Sequence, residues 1–142
     1  MTNPQLLVLA AGAQALLTIV VLLVLGARRR TAYKTGEVGK EAMLNDRVWP
    51  PYVLQASNNY KNQFEIPVLC FAAVATALAI QAASVVFVWL AWGFVAARIV
   101  HSICHCGSNN LPVRFISFFA SVIAVTIMWA LLAAHVFSTG TT

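Results

Sequence analysis

Four long apolar runs divide the chain, separated by one extended polar stretch and two short ones. A helix rising about 1.5 Å per residue needs about 20 apolar residues to cross about 30 Å of hydrocarbon, and each run is long enough. The first, 5–27, reads QLLVLAAGAQALLTIVVLLVLGA and carries no charge. The second, 52–81, enters through the polar turn QASNNYKNQFEIP and then becomes VLCFAAVATALAI. The third, 83–104, is ASVVFVWLAWGFVAARIVHSIC, and the fourth, 113–137, is VRFISFFASVIAVTIMWALLAAHVF. The second and third connections are too short for anything but antiparallel helix hairpins. No repeat, low-complexity tract or second domain breaks this pattern. The expectation is therefore an all-α, integral membrane four-helix bundle, one domain over 1–142.

Composition narrows the solvent. Of 142 residues 61% are hydrophobic and 9% charged, against about 25% charged in a soluble domain, and the mean hydropathy is +0.81. The first basic residue, Arg28, follows the first apolar run, whereas a signal peptide has its basic region before it, so the run reads as a retained span. Arg28, Arg29, Arg30, Lys34, Lys40, Arg47 and Lys61 lie in or beside the first connection, and Arg98 and Arg114 flank the third. Short basic loops stay cytoplasmic, which puts both termini on the other side. Contact with anionic lipid head groups accounts for the net charge of +5 without a nucleic-acid partner. On its own, the Arg28 to Arg30 run reads as a head-group anchor.

Charges at membrane depth are costly and face a partner or a wet cavity. Two stand out, Glu65 in the second span and Arg98 in the third, and a Glu65–Arg98 pair is the simplest way to keep both charged. Asn58, Lys61, Asn62 and Glu65 recur at intervals of three and four, on one helix face. Pro67 lacks the N–H that would serve the carbonyl of Gln63, which predicts a kink. Arg98, His101 and His105 share a face of the third span, and Arg114 starts the fourth after GSNNLP. The HSICHC stretch is not read as a metal site, because adjacent helical residues point about 100° apart and zinc motifs space their cysteines by two to four residues. Nor is it a Cys-x-x-Cys redox motif. Cys70 and Cys104 read as small apolar residues, His135 as interfacial, and the four tryptophans as packing or interface-belt residues.

The segment NQFEIPVLCF, followed by RIVH with its arginine sixteen residues before Arg114, resembles the membrane-associated proteins in eicosanoid and glutathione metabolism (MAPEG). The NxFExPVLxF form is similar to their prokaryotic branch, which implies a bacterial inner membrane. The resemblance covers nearly the whole chain. It implies a homotrimer with glutathione bound as co-substrate between neighbours near the cytoplasmic face. Asn62 and Glu65 would hold the tripeptide, Arg98 would support Glu65, His101 would line the site and Arg114 would stabilise the thiolate. Arg29 or Arg30 of a neighbouring subunit would meet a glutathione carboxylate, as arginine's forked donors favour.

Four positions depart from the family pattern. Asn58 stands where glutathione-using members have arginine, Lys61 where a second arginine is usual, His105 in place of a tyrosine, and Phe118 where a further tyrosine is common. The implied activity is transfer of glutathione or another thiol to an apolar electrophile in the bilayer, or reduction of a lipid peroxide. The competing class is a non-catalytic trimeric scaffold, or a lipid- or amphiphile-binding protein, with Glu65 and Arg98 as a structural pair.

Overall fold

The computed structural model describes residues 1–139. Among these there is no strand, and four helical stretches are long and apolar enough to cross a membrane. Helix α1 (Asn3–Lys34) runs well past the apolar window, carrying Arg28 to Arg30 on its last turns. Two short 3-10 helices, Lys40–Met43 and Asp46–Val48, fold the basic connection back onto the bundle end. The second span is broken into α2 (Pro51–Asn62) and α3 (Ile66–Ala79). Helices α4 (Val85–Cys106) and α5 (Leu111–Thr139) form the most extensively packed pair.

The break falls where Pro67 predicts it. Gln63 and Phe64 close with i→i+3 bonds to Tyr60 and Lys61 at 3.1 and 2.9 Å, and Glu65 leaves the helical region with φ −97° and ψ −101°. A last-turn carbonyl has no partner in its own helix, and here the Arg98 Nη2 group donates to the carbonyl of Asn62 at 2.9 Å.

Two apolar clusters fill the bundle. The larger joins Leu7, Ala10, Ala73, Ala77, Phe87, Phe94 and Met128 toward the end where α1 begins; the smaller gathers Leu25, Ala32, Val38, Ala42, Val53 and Ala56 at the basic end. Many large apolar side chains, among them Leu16, Leu23, Trp89, Ile103, Phe115 and Ile116, face outward, as lipid-facing surface does.

Between the clusters lies a buried amide network. Gln63 Nε2 is within 3.2 Å of the Asn59 carbonyl, Asn59 Oδ1 and Ser102 Oγ, and Gln63 Oε1 accepts from Gln14 Nε2 at 3.0 Å. These bonds tie α1, α2 and α4 together at the depth of the break, where an unpaired amide would be costly.

Arg28 corrects its expected role. Its Nη1 and Nη2 donate to the carbonyls of Tyr52 and Cys106, so it joins α1 to the start of α2 and the end of α4. The Cys106 carbonyl closes α4 and has no partner in its own helix, and the half-buried guanidinium reaches it and the first-turn carbonyl of Tyr52 at once.

Candidate functional site

The connection from α4 to α5 builds the site's floor. Gly107 ends α4, and a Cβ there would stand 2.8 Å from the Ile103 carbonyl oxygen, which only glycine avoids. Asn109 follows with φ 51°, a left-handed conformation that asparagine tolerates better than most residues. Its side-chain oxygen accepts from Arg114 Nη1 at 2.7 Å. Asn110 Oδ1 accepts from the Val113 N–H at 3.2 Å, capping α5, with Pro112 in the first turn. The GSNNLP stretch is thus a turn that aims Arg114 back toward α4.

Facing it, Arg98, His101 and His105 are all buried on one side of α4. The His101 and His105 rings meet edge to face with centroids 5.3 Å apart. His101 also lies against Phe118, at 5.8 Å. The His101 Nδ1–H donates to the carbonyl of Arg114 at 3.0 Å, fastening α4 to α5. Four polar atoms of this stripe are buried with no hydrogen-bond partner: Arg98 Nε and Nη1, His101 Nε2 and His105 Nδ1. Buried polar groups are nearly always paired, so this concentration of unpaired atoms makes the stripe the candidate site.

The polar stripe of the second span faces outward. Asn58, Lys61 and Glu65 are exposed and Asn62 is half-buried. The expected Glu65–Arg98 ion pair is not formed: the two ion pairs among the described residues are Arg29–Asp46 and Lys61–Asp46. The physical reason is the break. It turns Glu65 to the surface as the residue preceding α3, while Arg98 points inward and takes the Asn62 carbonyl. Glu65 acts on Arg98 only through space.

The two arginines expected to reach a neighbour's ligand differ. Arg30 is exposed, whereas Arg29 holds Asp46 at 3.5 Å and lies over the Trp49 ring, 5.2 Å from its centroid. Asp46 also takes Lys61 Nζ at 3.2 Å, so one loop carboxylate engages both cations.

The sequence reading missed Gln14, Asn59, Gln63 and Ser102. A signal for them is present: Gln14 is an amide deep in an uncharged span, and Asn59 and Gln63 are spaced i, i+4 beside the stripe of Asn58, Lys61, Asn62 and Glu65. No group of three or more His, Cys, Asp or Glu side chains gathers in a metal-binding arrangement among the described residues. A groove of about 550 Å³ lies on another flank of α4, lined by Val100, Ile103, Cys104, Gly107 and Val113, and takes in none of the buried arginine and histidine side chains.

Comparison with known proteins gives one match. The model of the MAPEG family covers residues 7–134. No curated protein and no solved structure matches the chain. The matched region takes in every residue of the α4–α5 site and the whole broken second span, within four apolar helices and no strand among the described residues. The chain is therefore an integral membrane protein that belongs to the MAPEG family.

Proposed function

We propose that this protein is a glutathione or other-thiol S-transferase, with peroxidase-like chemistry as the same site's second outlet, acting on apolar electrophiles at the cytoplasmic side of a bacterial inner membrane. The family includes glutathione transferases and related proteins. The observation that carries the reading is the set of unpartnered buried atoms on Arg98, His101 and His105 beside Arg114.

In this reading Arg114 is the catalytic group, favouring the thiolate over the thiol. Asn62 and Glu65 hold the tripeptide's amino end and backbone, with Asn58 and Lys61 beside them. Arg98, His101 and His105 line the inner wall, and Arg29 or Arg30 of a neighbouring subunit meets a carboxylate. In conjugation the thiolate sulfur forms a bond to carbon, the leaving group departs with its bonding pair, and the thiol proton ends on that group or in solvent once the turnover is complete. In peroxide reduction two thiols give a disulfide, and the hydroperoxide leaves as an alcohol and water. The site's contribution is ionisation and proximity.

A homotrimer of single-domain, four-span subunits fits the exposed surfaces. Glu65, Asn58 and Lys61 are uncovered in one subunit, and polar groups at membrane depth are costly unless a neighbour or a wet cavity meets them. Gly12, in the small-residue run AAGAQA of α1, has open space around it, which permits close helix approach. The scaffold alternative rests on a Glu65–Arg98 staple. It loses support because those charges are not in contact and a separate network through Gln14, Asn59, Gln63 and Ser102 ties the helices.

The test uses the detergent-solubilised protein with glutathione. We expect thiolate absorbance in the ultraviolet at about pH 7, below the free thiol's value of about 8.5, and conjugation of a small aromatic halide. Arg114→Ala abolishes both, and His105→Phe shifts the pH profile, because histidine titrates in a range where a tyrosine does not. Millimolar glutathione giving neither thermal stabilisation nor thiolate signal would sink the glutathione reading and leave the fold untouched.

A further inference from the structure

Resting on that reading, we propose that His101 is a further catalytic residue, the base that takes the proton from the bound thiol. The hydrogen bond to the Arg114 carbonyl decides the matter of which nitrogen is free. A carbonyl only accepts, so His101 Nδ1 carries a hydrogen. In the neutral ring Nε2 then bears a lone pair, and it is buried with no partner. The stripe therefore holds two guanidinium nitrogens on Arg98 whose N–H groups need an acceptor, and two unpartnered imidazole nitrogens, of which His101 Nε2 is the one whose own hydrogen bond fixes it as an acceptor in the neutral ring. A thiol that becomes a thiolate supplies both in one step: its S–H proton goes to His101 Nε2, and the sulfur anion left behind is received by the arginines.

The charged and titratable groups around this ring come from three sources. Arg98 and His105 lie on α4 and Arg114 on α5, and both arginines act on the His101 ring through space. Glu65, from the break between α2 and α3, acts in turn on Arg98. Proton transfer within the site leaves the total charge unchanged, creating an imidazolium and a thiolate together. The new anion offsets the repulsion between imidazolium and guanidiniums. The Nδ1–H bond to the Arg114 carbonyl strengthens when the ring is cationic, and it ties the base to the first turn of the helix that carries Arg114. After the sulfur bonds to carbon and the leaving group departs with its electron pair, the Nε2 proton passes to that group or to water, and the base is restored.

The alternative occupant is an internal water, accepting from Arg98 and donating to His101. Proton counting separates the two. In a weakly buffered solution with an indicator dye, thiolate absorbance and proton release are followed together as wild-type protein meets glutathione. A base at His101 predicts thiolate with far less than one proton released at about pH 7. His101→Asn keeps an N–H in position to donate to the Arg114 carbonyl and deletes the basic Nε2 nitrogen. It should form thiolate only at higher pH, with one proton per thiolate, and lose conjugation rate on the order of a hundredfold. Wild type releasing one proton per thiolate overturns the proposal without any variant having to fold, and leaves the transferase reading standing. Wild type forming no thiolate at all overturns both.

Discussion

Where α1 begins, Leu7 and Ala10 meet Ala73, Ala77, Phe87, Phe94 and Met128 in a core of aliphatic and aromatic side chains. Toward the basic end, Arg98, His101, Ser102, His105, Asn59 and Gln63 are buried just as deeply. In a bilayer these two regions are held by different forces. Lipid tails are as apolar as leucine, so the apolar end gains from close packing rather than from escape from water, and its alanines let the helices approach. The polar region is held by directed hydrogen bonds, and four of the buried polar atoms on its α4 stripe have none. One end supplies a shape and the other a chemistry.

The strongest way to break the packed end is to hollow it. Phe94 is fully buried in the larger cluster. Phe94→Ala should cost about 3 to 5 kcal/mol, the usual loss when a buried aromatic leaves a cavity, read as a lowered midpoint in detergent unfolding. Because Phe94 belongs to the apolar cluster and makes none of the polar stripe's hydrogen bonds, the variant that remains folded should keep its affinity for glutathione. An equal fall in affinity would show that the two ends are one mechanical unit.

The polar counterpart is Gln63→Leu. It strands Gln14 and weakens the bonds joining Asn59 to Ser102, at about 1 to 3 kcal/mol for each buried group left unsatisfied. The stability loss should be smaller than for Phe94→Ala. Glutathione affinity should fall more, because Gln63 sits between Asn62 and Glu65 and fixes the break that displays them. A variant that loses stability but keeps full affinity would make the network a staple alone.

The same contrast explains what was legible in the sequence. Hydropathy marks helices by length and composition, so the four spans and the proline break can be read directly, and the Arg98, His101 and His105 stripe follows from helical spacing. Which face of a helix turns inward cannot be read this way when both neighbouring faces are polar. Asn58, Lys61 and Glu65 form the conspicuous stripe, yet Asn59 and Gln63, one position along, are the buried pair. The break also rotates Glu65 away from Arg98, and no periodicity that runs through a broken helix can anticipate that. The role of Arg28 is hidden for a related reason: a basic run at a membrane edge looks uniform, while the fold brings the start of α2 and the end of α4 to one arginine, whose guanidinium takes the Tyr52 and Cys106 carbonyls.

The smallest expected effect is at Asp46, whose two ion pairs are largely solvent-exposed, with side-chain exposures of 39% and 53% for the first and 61% and 53% for the second. Such pairs contribute about 0.2 to 1 kcal/mol and weaken with salt. Asp46→Asn should therefore change the unfolding midpoint by little, and less still at high ionic strength. Its effect on binding should be larger than its effect on folding. Asp46 is a carboxylate already seated on Arg29 and Lys61, two of the cations proposed to meet an anionic ligand, and a ligand carboxylate must displace it. Removing the charge frees both cations, so glutathione should bind more tightly to Asp46→Asn at low salt, and a glutathione ester with its carboxylates blocked should show no gain. Tighter binding of both forms alike would mean that the loop screens the site by its bulk, and weaker binding would mean that Asp46 holds Arg29 and Lys61 in their working positions.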